Sequence, residues 1–304
     1  MVDSTDTAGN INKSGFTFIH NAGLANTFLG VASGVLFSTG SFNTGVGTEA
    51  LRTQHGIHNA ALGAYALSIN WAGFANVAIG SQALTHNTDG NENTASGALA
   101  LLQNTTGSGN TAIGSGALNN NRTGNLNIAL GYGAGVELLL DNNIAIGSRG
   151  LATDAGTIRI GRSPTQSRTF IAGIRGVTTA NGDAVPVVID SAGQLGTLNS
   201  SRRFKEEIAD MDKASSALMK LRPVTFRYKP APGAAPRSLQ YGLIAEEVAQ
   251  VYPGLVAHSA DGQVETVMYQ YLPAMLLNEY QKQQREIAEL REQVRELASK
   301  RGTR

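Results

Sequence analysis

A nine-residue pattern, N-x-x-x-G-x-x-A-L, recurs through the first half of the chain at a nearly constant distance. Its clearest copies are NTGVGTEAL (43–51), NAALGAYAL (59–67), NVAIGSQAL (76–84) and NTAIGSGAL (110–118). Weaker copies begin at Asn26, Asn93, Asn127 and Asn143, and TIRIG closes the series at Gly161. Successive asparagines are 17, 16, 17, 17, 17, 17 and 16 residues apart. A unit this short cannot bury its own apolar face, so the spacing predicts a stack of repeats that cover one another.

Each repeat contains a short apolar strand such as VAIG, a glycine that permits positive φ, an Ala-Leu pair and polar turn residues. This unit is too short for a pair of helices, so the period predicts one coil of a β-solenoid or β-roll per repeat. The repeated asparagine has two interpretations. It can form a stacked, hydrogen-bonded ladder along the repeats, or it can act only as a turn residue in each coil.

Composition changes abruptly at Ser200. Residues 1–199 contain 31 of the 36 glycines and 22 of the 23 asparagines but only 18 charged residues, whereas the remaining 105 residues contain 29. Glycine- and asparagine-rich turns and charged helices solve different solvation problems, so this shift predicts a domain boundary. The net charge of the whole chain, +1, gives no reason to expect a nucleic-acid partner. No window approaches the roughly 20 apolar residues of a membrane helix, so no membrane insertion is expected.

The sequence therefore predicts four segments. They are an N-terminal lead-in (1–25), the 17-residue β-roll repeats (26–161), a β neck (162–199) and a charged domain (200–304). Alternating β-formers in the neck, interrupted by Asn181-Gly182 and Ala192-Gly193, predict hairpins.

Helical and strand patterns alternate in the charged domain. KEEIADMDKASSALMKL (205–221) predicts a helix ending before Pro223, and VTFRY (224–228) predicts a strand. A PAPGAAP loop (230–236), the segment YGLIAEEVAQVYPGLV (241–256), a short hairpin around Asp261-Gly262 and a helix from about Leu272 to Lys300 follow. The domain is thus expected to be small and α+β.

The last helix carries a short heptad seam. One register holds Tyr280, Ile287 and Val294, and the other holds Leu276, Leu290 and Leu297. Ile and Val at one core position with Leu at the other favour two strands, and Gln283 interrupts the second register. Taken alone, the helix predicts a dimer or an amphipathic helix packed within its own chain.

Histidines and carboxylates of the repeats provide no recognisable site. His20, His55, His58 and His86 lie between the repeat patterns without accompanying carboxylates, and are interpreted as exposed turn residues, not metal ligands. No metal and no cofactor is expected. A glycosidase pair has no motif to support it, although such a pair would be assembled in space from residues 26–161.

The repeats, from Asn26 to Gly161, resemble the N-x-A-I-G-x-x-A-L units of phage tail-fibre proteins and, more loosely, the β-roll heads of trimeric autotransporter adhesins. This resemblance implies an elongated trimeric fibre. Its exposed loops would bind a host cell-surface glycan or protein.

The charged domain, from NSSRRFKEEI through RPVTFRY and YGLIAEEVAQVYPGLV to the final helix, resembles the peptidase S74 family of intramolecular chaperones of phage tail spikes and endosialidases. The resemblance implies a domain that trimerises, guides folding of the preceding fibre and then cuts itself off immediately before a serine. The family motif S-D-x-R-x-K lies over residues 200–205. It implies Ser200 as nucleophile, Arg203 as the motif arginine, Lys205 as base and cleavage between Asn199 and Ser200. Ser201 stands where the motif often has Asp.

A purely structural interpretation of the same residues is that Ser200 and Ser201 cap a helix beginning near Arg203, with Glu206 or Glu207 completing a capping box. A dyad would require special geometry. Residues five apart lie on opposite faces of a strand and about 140° apart on a helix. Either the chain bends between Ser200 and Lys205, or two chains collaborate.

The sequence thus predicts a mainly β, trimeric solenoid fibre followed by a small α+β chaperone domain that ends in a long coiled-coil helix. The corresponding function is a phage or prophage tail fibre that cleaves itself after assembly and resides in the virion. The alternative is a bacterial surface adhesin in which the charged domain is a permanent trimerisation foot. Whole-repeat slips between chains leave most anchors matched, so the fibre is expected to need its chaperone to set register.

Overall fold

The computed structural model describes residues 10–13, 15–34, 39–229, 237–259 and 261–302. The predicted loop PAPGAAP (230–236) and the first nine residues of the predicted lead-in lie outside the described residues. The chain divides into two compact units, Met1–Ile174 and Arg175–Arg304, and the division falls inside the predicted neck.

The first unit consists of short strands joined by turns. In chain order the strands are β1 (Ile11–Lys13), β2 (Phe16–His20), β3 (Thr27–Leu29), β4 (Thr44–Val46), β5 (Thr53–Gln54), β6 (Ala60–Leu62), β7 (Ile69–Asn70), β8 (Val77–Ile79), β9 (Thr94–Ser96), β10 (Thr111–Ile113), β11 (Ile128–Leu130), β12 (Ile144–Ile146) and β13 (Ile158–Ile160). Except for β5 and β7, which pair with each other, they form one sheet of 11 strands.

Strand pairing in this sheet follows the sequence repeat. After the antiparallel β1–β2–β3 lead-in, each strand pairs in parallel with the strand one coil further on. Ala78 lies beside Ala95, and Ala95 beside Ala112, so equivalent residues of successive repeats stack directly. The predicted β-solenoid is confirmed, with about eight turns.

In the central coils the core is built from two alanines and one leucine. In the four coils that begin at Asn59, Asn76, Asn93 and Asn110, the alanine at the strand centre and the Ala-Leu pair that follows it are buried, as for Ala112, Ala117 and Leu118. The repeat glycine is required by close approach of the coils. At Gly97, where φ is +139°, an added Cβ would lie 2.5 Å from the backbone carbon of Gly114.

The predicted asparagine ladder is present. All eight repeat asparagines are buried. The side-chain oxygens of the first seven accept the backbone N–H of the next anchor, as from Asn110 to Asn93 at 2.9 Å, and that of Asn143 accepts the backbone N–H of Thr157. The side-chain nitrogen of Asn93 donates to the carbonyl of Gly107 at 2.8 Å, so it bonds to the following coil. The turn-only interpretation of these asparagines is therefore wrong.

A second asparagine ladder runs parallel to the first. Asn70, Asn87, Asn104 and Asn121 are buried, and their side chains are joined by bonds of 2.7, 2.7 and 3.1 Å. The ladder stops because Leu138 occupies the equivalent position of the next coil, where it is buried. Asn121 Oδ1 consequently has no hydrogen-bond partner within the described part of the chain.

Both ends of the solenoid depart from the repeat in ways that close the core. At the first coil Phe28 occupies the position of the strand-centre alanine and is fully buried. Its ring has room because residues 34 and 45 are glycines, whose added Cβ atoms would lie 2.5 and 2.9 Å from it. At the last coil Arg159 stands beside Ala145, and its guanidinium binds the buried carboxylate of Asp154 at 2.6 and 2.7 Å. A polar terminal coil is what a stacked repeat needs to meet water.

The second unit contains hairpins and helices around a small core. Its strands and α-helices are β14 (Val187–Ile189), β15 (Leu195–Thr197), β16 (Val224–Phe226), β17 (Gln240–Gly242), α1 (Ala245–Val251), β18 (Val256–His258), β19 (Val264–Val267) and α2 (Leu272–Gly302). Strands pair antiparallel as β14–β15, β16–β17 and β18–β19. The core comprises Leu218, Val248, Leu255, Val256, Val267 and Met275.

Several sequence predictions for this unit are confirmed and two are wrong. The hairpins at Ala192-Gly193 and Asp261-Gly262 and the final helix are present, whereas no strand flanks Asn181-Gly182. The predicted helix over 205–221 is absent. The described chain there forms 3-10 turns at Asp212–Ser215 and Leu218–Lys220. Glu207 and Asp212 have φ values of +50° and +39°, which no right-handed helix can contain.

Helix α2 is anchored to the unit only near its start. Ser215, fully buried, donates its hydroxyl to Glu279 Oε1 at 2.6 Å and accepts a bond from Asn278 Nδ2 at 2.6 Å. Lys282 binds the same carboxylate at 2.7 Å. These bonds lower the pKa of Glu279, the lysine contributing most. From residue 283 to 300 every side chain of the helix is exposed.

Candidate functional site

The segment implied by the resemblance follows hairpin β14–β15 directly. Ser201 is extended, with φ −65° and ψ 143°, and Arg202–Phe204 forms a single 3-10 turn. Lys205 is extended again, with φ −128° and ψ 139°. The turn is closed by backbone bonds of 3.0 Å from Phe204 to Ser201 and from Lys205 to Arg202. The chain therefore bends between Ser200 and Lys205, which is one of the two geometries that a dyad would require.

This bend brings the two dyad residues into contact. Lys205 Nζ donates a hydrogen bond to Ser200 Oγ at 3.1 Å. A serine hydroxyl within hydrogen-bonding distance of a lysine is the arrangement of a nucleophile and its base. The scissile bond expected between Asn199 and Ser200 is exposed, as are both side chains of the pair. In a single chain the contact between Lys205 and Ser200 is thus formed but open to water.

The other motif residues do not contact the pair. The guanidinium of Arg203 lies 4.7 Å from the centre of the Phe204 ring, a cation–π contact. Ser201 precedes the 3-10 turn without a capping bond from its side chain. The predicted interpretation of these serines as caps of a helix near Arg203 is therefore wrong, because no α-helix begins there and the cap bond is missing.

Positive charge is concentrated beside the pair. Arg202, Arg203 and Lys205 lie within four residues and are exposed, and within the described chain none of them forms an ion pair.

Three histidines of the solenoid lie against aromatic rings. His20 is buried, contrary to the prediction that it is an exposed turn residue, because its ring packs 4.9 Å from Phe28 and Nε2 lies 2.6 Å from the Ser33 carbonyl. His55 and His58 are exposed and lie against the rings of Trp71 and Phe42 at 4.8 and 5.0 Å. In the described ranges there is no group of three or more histidine, aspartate or glutamate side chains that could hold a metal.

Sequence reasoning missed three polar features. The second asparagine ladder has a signal, A-L-x-x-N-x-x-G, which recurs every 17 residues from Asn70 to Asn121. The ion pair between Asp154 and Arg159 at the last coil also has a sequence signal, because Arg159 stands at the strand-centre position where the repeat has alanine. The Ser215–Glu279 bond joins residues 64 apart and has no local signal.

One family model matches part of the second unit. Residues 200–257 match the peptidase S74 family, described as the chaperone of endosialidase, and the match begins at Ser200. No curated protein and no solved structure gives a significant match to the chain. Among the described helices, none is long and apolar enough to cross a membrane.

The family match indicates a general activity and a general role for the matched domain. It implies a self-cleaving peptidase domain, and chaperone-of-endosialidase domains act in trimerisation. A β-solenoid of about eight turns lies before this domain in the chain. Together these findings support a tailspike or tail-fibre type of protein with a C-terminal S74 chaperone domain.

Proposed function

We propose that this chain is a phage or prophage tail-fibre segment whose C-terminal domain drives trimerisation and folding and then cuts the chain between Asn199 and Ser200. The 3.1 Å contact between Lys205 Nζ and Ser200 Oγ carries the proposal, since it joins the two motif residues. Ser200 is also the first residue of the family match. The fibre would sit in the virion and bind a host cell-surface glycan or protein through the solenoid.

The proposed reaction uses only these side chains and water. Lys205 as a neutral amine accepts the hydroxyl proton of Ser200 while Oγ attacks the carbonyl carbon of Asn199. The C–N bond between the two residues breaks, the leaving amine of Ser200 takes the proton from Lys205, and an ester joins Asn199 to Ser200 Oγ. Water then hydrolyses the ester, which leaves a carboxylate on Asn199 and a free amino group on Ser200.

Control of the cut would come from the protonation state of the base. Lysine is almost entirely protonated in neutral water, so an exposed lysine is a poor base. Removal of such a lysine from water at a multi-chain interface would favour its neutral amine. The Ser200–Lys205 pair is exposed in one chain and would be enclosed only in an assembly of chains. Cleavage would therefore occur after folding and assembly.

Trimerisation is supported by the amount of apolar surface that one chain leaves uncovered. In the neck, Val185, Val187, Ile189, Leu195 and Leu198 are between 54% and 68% exposed. An isolated two-stranded hairpin such as β14–β15 is marginal in water. The seam of α2 is also exposed, from Leu276 to Leu297. Three copies of the chain would supply the missing partners for both elements.

Cleavage is tested on freshly expressed full-length protein by denaturing gel and intact mass. The expected products are residues 1–199 and 200–304. Ser200→Ala should leave an intact chain that still trimerises, and Lys205→Arg should also block the cut because a guanidinium does not act as a neutral base. Lys213→Arg, which changes an exposed lysine of the same unit, is the matched control and should be cut normally.

Two outcomes would overturn this proposal. A 105-residue fragment from the Ser200→Ala variant would remove Ser200 as nucleophile. An intact, trimeric wild-type chain would favour the alternative function, a bacterial surface adhesin with a permanent trimerisation foot.

A further inference from the structure

An open groove of about 220 Å³ lies in the second unit between β16, the start of α1 and β19. Three aromatic residues, Phe226, Tyr228 and Tyr269, form part of its lining, and Glu246 and Glu265 contribute carboxylates. We call these five residues the acidic groove. Its volume is below the roughly 300 Å³ at which small-molecule clefts begin, so it suits a side chain better than a ligand of drug size.

The aromatic side of the acidic groove is held in place. The rings of Phe226 and Tyr228 meet edge to face with centres 5.2 Å apart. The hydroxyl of Tyr269 accepts the backbone N–H of Leu243 at 2.8 Å. Gly242 makes this packing possible, because an added Cβ would lie 2.7 Å from that hydroxyl. A lining fixed in this way can bind without first paying for its own ordering.

The carboxylates of the acidic groove lack cations. Within the described chain neither Glu246 nor Glu265 forms an ion pair, whereas the neighbouring Glu247 binds Arg222. The guanidinium of Arg222 lowers the pKa of Glu247 through this hydrogen-bonded pair. Arg222 is therefore already paired with a carboxylate outside the acidic groove. Aromatic faces beside two free carboxylates match a guanidinium, which can stack on a ring and pair with a carboxylate at once.

A segment with the complementary chemistry lies beside the dyad. Arg202, Arg203 and Phe204, here called the basic segment, are exposed, and neither arginine has an ionic partner in the described chain. One chain thus carries both an unfilled acidic groove and an unpaired basic segment. Two copies of the chain can satisfy both.

We infer that the basic segment of one copy docks in the acidic groove of a second copy. The inference rests on the proposed function, because it assumes the assembly of several chains. It gives that assembly a specific contact next to Ser200, so the exposed segment to be cut would be covered only when a neighbouring chain is present. The cut and the alignment of the chains would then depend on the same interaction.

The contact is tested by disulfide trapping, since the chain contains no cysteine. Two forms of the full-length protein with different tags are co-expressed in a Ser200→Ala background, one carrying Arg203→Cys and the other Glu265→Cys. Oxidation is expected to give a mixed-tag dimer on a non-reducing gel, at least about tenfold above the control. The control replaces Arg203→Cys with Lys213→Cys, at an exposed position outside the basic segment.

Charge reversal gives a second readout. Arg202→Glu with Arg203→Glu, or Glu246→Arg with Glu265→Arg, should reduce the trimer fraction about tenfold in the same uncut background, as close interfacial charge pairs contribute about 1.5 kcal/mol or more. Combining both reversals in one chain should restore the trimer. Light scattering measures the result without reference to cleavage.

The outcomes separate the two proposals. Mixed-tag dimers and restored trimers in a protein whose wild-type form is never cut would support docking and overturn self-cleavage. Mixed-tag dimers at the control level, or a combined variant no better than the single reversals, would overturn docking. Oxidation of a chain carrying both cysteines into an internal disulfide, without mixed-tag dimers, would also overturn it.

Discussion

The two units differ in how many of their contacts a single chain can provide. In the solenoid, asparagines, strand-centre alanines and Ala-Leu pairs are buried, and their partners belong to adjacent coils of the same chain. In the second unit the core has six residues, and the neck hairpin and most of α2 are exposed. Stacked repeats thus cover one another within one chain, whereas the neck hairpin and most of the final helix stay exposed in it.

The largest effect should come from removing residues 200–304, which we propose align the chains. Residues 1–199 expressed alone should aggregate or give mixed assemblies, whereas the full chain gives one heat-resistant species, because the exposed neck loses its alignment. Adding residues 200–304 as a separate chain should not rescue them, since alignment requires the covalent link during folding. Size-exclusion chromatography with light scattering measures both.

A matched control sharpens that comparison. Residues 1–161, which lack the neck, should stay soluble because the coils satisfy their own hydrogen bonds. A uniform, heat-resistant trimer from residues 1–199 would contradict the prediction and assign register to the repeats themselves.

Within the solenoid, Asn93→Ala should lower the free energy of unfolding by about 3 kcal/mol. The change leaves the backbone N–H of Asn110 without its acceptor and removes one of the two side-chain donors to the Gly107 carbonyl, the other being Asn104. Asn120→Ala, at an exposed asparagine one coil away, should change it by less than about 0.5 kcal/mol. Equal shifts of the urea midpoint for the two variants would show that the ladder is not stabilising.

At the last coil, Asp154→Asn should cost about 2 kcal/mol, because the side chain loses its charge-assisted bonds to Arg159. The arginine holds the pKa of Asp154 below its ordinary value of 3.8. The folded pKa is lower than the unfolded one, so this stabilisation is complete above pH 3.8 and is lost as pH falls through the folded value. Unfolding measured from pH 7 to pH 2 should show the difference between wild type and variant shrinking below pH 3.8. A difference that grows on acidification would contradict the assignment.

The smallest expected effect lies in the second unit. Ser215→Ala should reduce its stability by about 1–2 kcal/mol, since Asn278 and Glu279 lose their buried partner. Ser216→Ala changes the adjacent, exposed serine and should have an effect below about 0.5 kcal/mol. Thermal unfolding followed by the helical signal of α2 compares the two. Identical curves for both variants would mean that the bond does not anchor the helix.

The solenoid could be predicted from sequence because each of its contacts is repeated. Asn93 meets Asn110 for the same reason that Asn76 meets Asn93, so a regular spacing is enough to identify partners. The repeat also shows where register is determined. The observed pairing joins coils of one chain, so a slip within that chain would loop out a whole repeat. The degeneracy expected from the sequence therefore applies only between chains.

The second unit could be predicted only in part because its contacts are not repeated. The pattern of Ile208, Met211, Leu218 and Leu221 suggested a helix, but the chain turns at Glu207 and Asp212 instead, and Ser215 points to α2. Ile208 is 54% exposed, so the expected apolar face is not buried. The bend that joins Ser200 to Lys205 likewise depends on one 3-10 turn that spacing alone does not reveal.

One chain buries the inner core of its own solenoid, and we propose that three chains together cover the neck and the final helix. The most direct test is the molar mass in solution of the uncut Ser200→Ala protein, by light scattering over a range of concentrations. The expected molar mass is three times the chain mass of 31.8 kDa. A mass of twice this value, as the heptad seam of α2 alone would favour, or a stable monomer would contradict it.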